Sequence, residues 1–333
     1  MKGTMIVLGE IGGREAAAFV EDGKLQDLLI DGDQPRPGTI YRAVADRPVK
    51  GQGGMFLKTP DGAGFIRKIK GLGAGKPLLV QVTGYAEQGK AIPMTDRWLY
   101  KSRFAIATPG APGINISRSI RDDEDRIMLR EISSAFEDRL RGCGLILRSQ
   151  AAGTNEDEIS QDIERVLGAV HAVLEDDGKT SEKLIEGPGP TELAWRDWPA
   201  AEHADIPFEE LLTDALEDGV SLPGGGHVYV EATRALVAVD VNTGRDTSQA
   251  AGLKANLAVA RDLPRLLRIK GLGGQIVIDT APMAKKDRPA FESTLRAAFR
   301  KDTVETTLVG WTPLGHFELQ RKRDRVSILE ISL

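Results

Sequence analysis

The sequence predicts a mixed α/β and β, multidomain chain: a small β barrel, a helical region and a C-terminal α/β unit. Three observations predict it. Short apolar runs punctuated by glycine fill residues 38 to 100, the pattern of a small barrel of about five strands of the OB type. Two long stretches of helical periodicity follow, from 116 to 140 and from 155 to 176. From residue 222 onward strands alternate with helices, as in a sheet assembled from β-α-β units. At 333 residues the chain is long enough for two or three separate cores.

Each element has a local reason. "EAAAFVEDGKLQDLLI" reads as two strands joined by a turn at Asp22-Gly23. "GTIYRAV", "GGMFLKT", "GAGFIRKI" and "PLLVQVTGYA" supply the barrel strands. In "ISRSIRDDEDRIMLREISSAFEDRL" the residues Ile127, Leu129, Ile132, Phe136 and Leu140 are expected to share a broad helical face. "CGLILRSQAAG" is a buried strand that ends at Arg148-Ser149. "NEDEISQDIERVLGAVHAVLED" is a second helix whose acidic first turn suits the helix dipole. "EGPGPTE" marks a break, and a short helix is expected near 207 to 217. "SLPGGGHVYVEATRALVAVDVN" reads as a hairpin. "GLKANLAVARDLPRLLRIKGLGG" reads as a helix that Pro264 can kink. The strand "QIVID", the helix "KDRPAFESTLRAAFRK" and strands near 304 to 310 and 326 to 331 complete the chain.

The totals exclude several function classes. A formal net charge of −5 argues against retention on nucleic acid or membrane by bulk charge, while leaving a local basic groove open. The single cysteine, Cys143, excludes a disulfide within the chain and a Cys-rich zinc site. The four histidines lie far apart with no i,i+4 pair, which disfavours a histidine metal site. No leader-like N-terminus and no apolar run long enough for a span are present, so a soluble, cytoplasmic protein with no membrane span is expected.

Two strands end on carboxylates. In "ALVAVDVNTG" Asp240 and Asn242 are two apart and share a face, while Val237, Val239 and Val241 take the other. "GGQIVIDTAP" ends the same way at Asp279. If the two strands pair in parallel, both carboxylates emerge side by side at the C-terminal edge, where α/β sheets carry ligands. Adjacent carboxylates repel unless they share a proton or a cation. Hard oxygens without nearby His or Cys suit Mg²⁺, with Mn²⁺ as the alternative ion. The competing explanation makes each Asp a turn former or cap.

Other groups have two readings as well. Phe56 and Phe65, near Lys58, Arg67 and Lys68, can stack unpaired bases or fill the barrel core. Arg148 with Ser149 can grip a phosphate or form a solvated strand end. "LQRKRDR" with Lys285, Lys286 and Arg288 can neutralise a polyanion or be solvated faces. "GLGGQ" and "LPGGGH" are weak phosphate-loop signals.

"LPGGGHVYVEATRALVAVDVNTG", "ANLAVARDLPRLLRIKGLGGQIVID" and "LGHFELQRKR" together resemble the catalytic region of the ribonuclease E/G family of bacterial endoribonucleases. The resemblance runs in order along nearly the whole chain. It implies an RNase H-like subdomain from residues 1–37 and 184–221, an S1 RNA-binding domain over 38–100, a 5′-sensor region over 101–183 and a DNase I-like catalytic subdomain over 222–333. It also implies Mg²⁺-dependent hydrolysis of single-stranded RNA, leaving 3′-hydroxyl and 5′-phosphate ends, with a preference for 5′-monophosphorylated RNA. Asp240 and Asp279 fall on the metal-binding aspartates, and Asn242 on the asparagine that assists them. Phe56 and Phe65 fall on the S1 phenylalanines, Lys90 on a basic S1 position, and Arg148 with Ser149 on the 5′-monophosphate pocket. The family's Cys-Pro-x-Cys zinc link has no counterpart, so no zinc and no zinc-linked dimer are expected. Pro282 stands where an acidic residue is usual, and Gly84 and Pro313 where basic ones are common. These departures motivate an alternative, a weakly catalytic or non-catalytic RNA-binding protein. A small-molecule phosphohydrolase would use the same metal without needing the barrel.

Overall fold

Asp22 and Gly23, at φ 49° and 77°, make the tight hairpin turn that joins the strands on either side. The structure is a computed structural model describing residues 3–49, 53–67, 69, 71–199, 201–204, 206–223, 225–246, 248 and 250–331; Lys68 lies outside them. The chain divides into two compact units, one joining Met1–Gly32 to Ala201–Leu333 and the other formed by Asp33–Ala200.

In the first unit, β1 (Thr4–Ile11), β2 (Arg14–Glu21) and β3 (Lys24–Ile30) form an antiparallel meander. Their alanines and branched residues, among them Ala16, Ala18, Val20 and Leu28, are buried.

In the second unit, β4 (Ile40–Val49), β5 (Gly54–Thr59), β6 (Gly62–Ile66), β7 (Pro77–Val82) and β8 (Ile92–Thr95) follow one another in the order β4-β5-β6-β8-β7. Pairing of β4 with β7 closes the ring, so the five strands form a barrel as expected. Tyr41, Leu57, Ile66 and Val80 fill it. Phe56 and Phe65 are only half-buried and stand outside that core, which removes the barrel-filling explanation for them.

The rest of this unit packs a small sheet against helices. The sheet holds β9 (Tyr100–Lys101), β10 (Ala105–Thr108), β11 (Gly113–Ile116) and β12 (Gly144–Leu147); the helices include α1 (Asp123–Ser134) and α2 (Glu156–Leu174). Asp122 and Asn155 cap the two helices by accepting the N–H groups of Asp125 and Asp157. Leu129, Ile132, Phe136 and Leu140 are buried as expected, but Ile127 is exposed. Two residues turn a helix by about 200°, so Ile127 cannot share the stripe that begins at Leu129. Strand β13 (Glu182–Ile185) pairs with β4, and α3 (Pro190–Asp197) opens on proline at its first position.

The chain then returns to the first unit. β14 (Glu202–His203) pairs in parallel with β1. The helix expected near 207 to 217 is instead a 3₁₀ turn at Phe208–Glu210 and a single helical turn, α4 (Thr213–Leu216), separated by a break at Leu211 and Leu212. Next come β15 (Gly219–Ser221), β16 (His227–Ala232), β17 (Val237–Asn242), α5 (Ala251–Ile269), β18 (Gly274–Asp279), α6 (Arg288–Arg300), β19 (Thr306–Trp311) and β20 (Phe317–Arg321). Among the described residues these strands make one sheet in the order β15-β16-β17-β18-β20-β19. Helix α5 continues through Pro264 and is the crossover between the parallel strands β17 and β18. The strand expected at 326 to 331 is a 3₁₀ turn at Ile328–Glu330; "FELQR" supplies the last strand. Its alternation, with Phe317, Leu319 and Arg321 buried, was masked in sequence by its charged end.

Candidate active site

The register of β17 against β18 decides the geometry. Asp240 pairs directly with Asp279 across the parallel strands, so their Cα atoms stand one strand spacing apart, about 4.8 Å. Val239, Val241, Ile276 and Ile278 point into the core at 4% exposure or less, which turns both carboxylates outward on one face. Both are exposed, and among the described residues neither has a Lys or Arg ion-pair partner. His316, in the turn before β20, places Nδ1 3.2 Å from Asp279 Oδ1. Asn242 lies on the same face; its Oδ1 accepts the Gly244 N–H at 2.9 Å, closing the turn after β17.

The donor set fits a hard divalent cation. Among the described residues no three or more His, Cys, Asp or Glu side chains gather into a cage. Two adjacent carboxylates at an open sheet edge are what Mg²⁺ uses when it keeps several waters.

In the barrel, Phe56 and Phe65 are direct cross-strand partners on β5 and β6. Their ring centroids are 5.3 Å apart, and the Arg47 guanidinium lies 5.2 Å from the Phe56 ring. Lys58 is exposed and pairs with Asp46 at 3.4 Å. This gives a partly open aromatic surface rimmed by cations, the chemistry that stacks unpaired bases. Lys90 is exposed on the loop between β7 and β8, held by Glu87 at 2.6 Å.

Arg148 follows β12 and is mostly buried, with Ser149 exposed beside it. Its Nη1 donates to the carbonyls of Ser102, Arg103 and Arg196, and its Nη2 to Asp197 Oδ1 at 2.7 Å. A phosphate there would compete with Asp197. Burial alone would raise Asp197, but Arg196 and Lys101 overcome it and hold the carboxyl well below the usual range. Burial, with the Arg196 charge adding, brings Lys101 down to about 8.

The basic residues of "LQRKRDR" divide. Arg321 is buried against Asp302, and Arg325 reaches Asp27 at 3.3 Å, so these two serve the core instead of a polyanion or a solvated face.

The ribonuclease E/G family model matches residues 100–210 and 199–324. The chain belongs to the ribonuclease E/G family. It is similar to ribonuclease E of Nostoc sp., 27% identical over 384 aligned residues, and to ribonuclease G of Salmonella typhimurium and of Escherichia coli, 26% and 27% identical over 389. These alignments take in 95%, 93% and 93% of this chain. They span 55% of the Nostoc protein and 78% of each of the other two. The barrel is consistent with an S1-type domain in this family of endoribonucleases. Among the described residues no helix is long and apolar enough to cross a membrane.

Sequence reasoning missed two residues that frame the acidic pair. Asn256, fully buried on α5, donates Nδ2–H to Ala281 O and accepts Ala281 N–H, both at 2.9 Å. It thereby fixes the chain two residues beyond Asp279. A lone amide among Ala255, Val259 and Ala260 was the available signal, since a buried amide must find partners. His316 gave no signal, because its contact with Asp279 depends on the turn joining β19 and β20.

Proposed function

We propose that this chain is a metal-dependent endoribonuclease acting on single-stranded RNA in RNA processing or decay, with Mg²⁺ as the ion and Mn²⁺ as a substitute. Residues 1–37 and 184–221 would form the RNase H-like subdomain, 38–100 the S1 domain, 101–183 the 5′-sensor region and 222–333 the DNase I-like catalytic subdomain. The carrying observation is the in-register pairing of Asp240 with Asp279 at the open edge of one sheet.

Asp240 and Asp279 would hold the ion, which when bound supplies Lewis acidity and charge neutralisation for a phosphodiester. His316 Nδ1, 3.2 Å from Asp279 Oδ1, would steady that carboxylate, the usual task of a group behind a metal ligand. Asn242 keeps an amide on the same face for a phosphate oxygen. Phe56 and Phe65 stack bases, and Lys90 adds positive charge for the backbone. Arg148 and Ser149 form the proposed 5′-monophosphate subsite, in which the incoming phosphate replaces Asp197 on the guanidinium.

The test is cleavage of a short 5′-monophosphorylated single-stranded RNA with Mg²⁺, comparing wild type with Asp240→Asn and Asp279→Asn. Loss in both variants with products ending in 5′-phosphate supports the proposal. Equal cleavage by all three proteins would remove the acidic edge from the mechanism. The Arg148–Asp197 pair favours one second reading, an RNA-binding chain with weak turnover: salt-sensitive binding without cleavage in Mg²⁺ or Mn²⁺ would establish it.

A further inference from the structure

The connection that leaves β18 after Asp279 carries Lys285, Lys286 and Arg288, the last of which opens α6. Both lysines are exposed, but Arg288 is half-buried and lies against an aromatic ring. Its guanidinium stands 4.3 Å from the centroid of Trp311 on β19. One helical turn further along α6, Glu292 Oε1 accepts the indole N–H of Trp311 at 2.6 Å. Phe291 and Phe317 pack on the indole with centroids 5.7 and 5.2 Å away. Trp311 is thus fixed, and so is the group stacked on it.

Four other arginines of this unit with little exposed side chain, Arg265, Arg268, Arg321 and Arg325, each hold an aspartate. Among the described residues Arg288 pairs with no carboxylate, and its buried Nε donates to no acceptor. A buried donor without an acceptor is costly. Stacking takes up one face of the guanidinium and leaves its N–H edge to an acceptor.

That edge meets the turn before β20. Arg288 Nη2 would stand 3.5 Å from a Cβ on Gly315, the residue before His316. Thr312, Pro313, Leu314 and Gly315 carry no charge of their own. Strand β20 runs antiparallel to β18, and Trp311 pairs with Phe317, so the turn, Arg288 and Asp279 share one end of the sheet. Trp311 lies on the core side with Phe317, while His316 lies on the other side, 3.2 Å from Asp279. The turn is therefore a rim with the acidic pair on one side and Arg288 on the other.

We propose that Arg288 holds a phosphate of the RNA strand next to the one at Asp240 and Asp279, where the strand crosses that rim. The assignment rests on the reading of the chain as a nuclease of single-stranded RNA, and adds to it. A planar fork already oriented by Trp311 can give two N–H groups to one phosphate while losing little side-chain freedom. Two carboxylates repel a polyanion, so a cation beside them helps to keep the strand in place over the pair.

The experiment measures binding of a short single-stranded RNA in EDTA over a range of salt concentrations, and maps its cleaved linkage with wild-type protein and Mg²⁺. Arg288→Met still covers Trp311 but has no charge. It should weaken binding by about 10- to 100-fold, as losing a charged hydrogen bond does. It should also lower the slope of log affinity against log salt by about 0.7, one phosphate on a single strand. Arg288→Lys should restore the slope and recover only part of the affinity. A residue that merely packs on Trp311 would leave the slope alone. Neutral methylphosphonates are then placed at each linkage in turn. At the linkage that Arg288 holds, the losses from the methylphosphonate and from Arg288→Met should fail to add, and that linkage should adjoin the cleaved one. Additive losses at every linkage, or an unchanged slope in Arg288→Met, would overturn the assignment. Coupling confined to linkages remote from the cleaved one would overturn it too. Coupling with no cleavage in Mg²⁺ or Mn²⁺ would keep Arg288 on the RNA and overturn the nuclease reading.

Discussion

Two acidic clusters in the first unit make opposite use of the same side chain. Asp302 has a fully buried side chain enclosed by the guanidinium groups of Arg268 and Arg321. Asp240 and Asp279 stand side by side in the open, and among the described residues His316 is the one ion-pairing group against them. A buried carboxylate survives only when its charge is matched, so the chain itself supplies the cations for Asp302. An exposed pair tolerates its mutual repulsion because water screens it, and it gains when an external cation arrives. The matched carboxylate is architecture; the unmatched pair is left to the solvent.

That contrast predicts crossed effects. Asp302→Ala leaves two buried guanidiniums facing each other and should cost about 3–5 kcal/mol in urea denaturation. Its cleavage rate per folded molecule should stay near wild type. If the substitution is neutral for stability, the cluster is not what holds α5 and β20 together. Asp240→Asn and Asp279→Asn should do the reverse: melting curves stay in place while Mg²⁺-dependent cleavage falls by about 10²–10³-fold, the loss of several kcal/mol of transition-state stabilisation. A large fall in melting temperature with cleavage retained would erase the distinction.

The barrel belongs to neither cluster and sharpens the contrast by separating binding from chemistry. Phe56→Ala or Phe65→Ala should weaken RNA binding by about 5- to 100-fold, as removing one stacking ring does. Cleavage at saturating RNA should be retained. A fall in the saturated rate with binding intact would instead tie these rings to the chemical step.

The smallest effect concerns a fourth carboxylate, Asp197, matched by Arg148, Arg196 and Lys101. Lys101 titrates at about 8 in the folded chain and near 10.4 when unfolded. Between those values the unfolded chain holds more protons, so stability should rise as pH climbs from about 8 to about 10.4. Lys101→Met should flatten that rise in pH-dependent denaturation. An unchanged slope would mean that Lys101 keeps its proton throughout.

The acidic edge was legible in the sequence because strand parity and the strand–helix–strand order are local. Val237, Val239 and Val241 fix which way Asp240 points, and a parallel partner ending at Asp279 follows from the crossover helix. Closure of the barrel was legible from glycine-spaced strands, although the exposure of Phe56 and Phe65 was not, since parity alone does not say which side of a strand faces a barrel's axis. Ile127 was misjudged by pooling residues two apart on a helix. The last strand was placed too late because an arginine at its buried end looks like a solvated tail until Asp302 is brought to it. The approach of His316 to Asp279 is a product of tertiary structure and leaves no trace in spacing.

The pairing of β17 with β18 has one more consequence. A sheet counts in units of one residue, and a slip by one would send one carboxylate into the valine-rich interior while its neighbour stayed in water. A single inserted or deleted residue inside either strand therefore cannot produce a weakened version of the site. Lengthening the connections outside those strands leaves the count untouched, so any gradual tuning of this chain by drift has to happen in its loops.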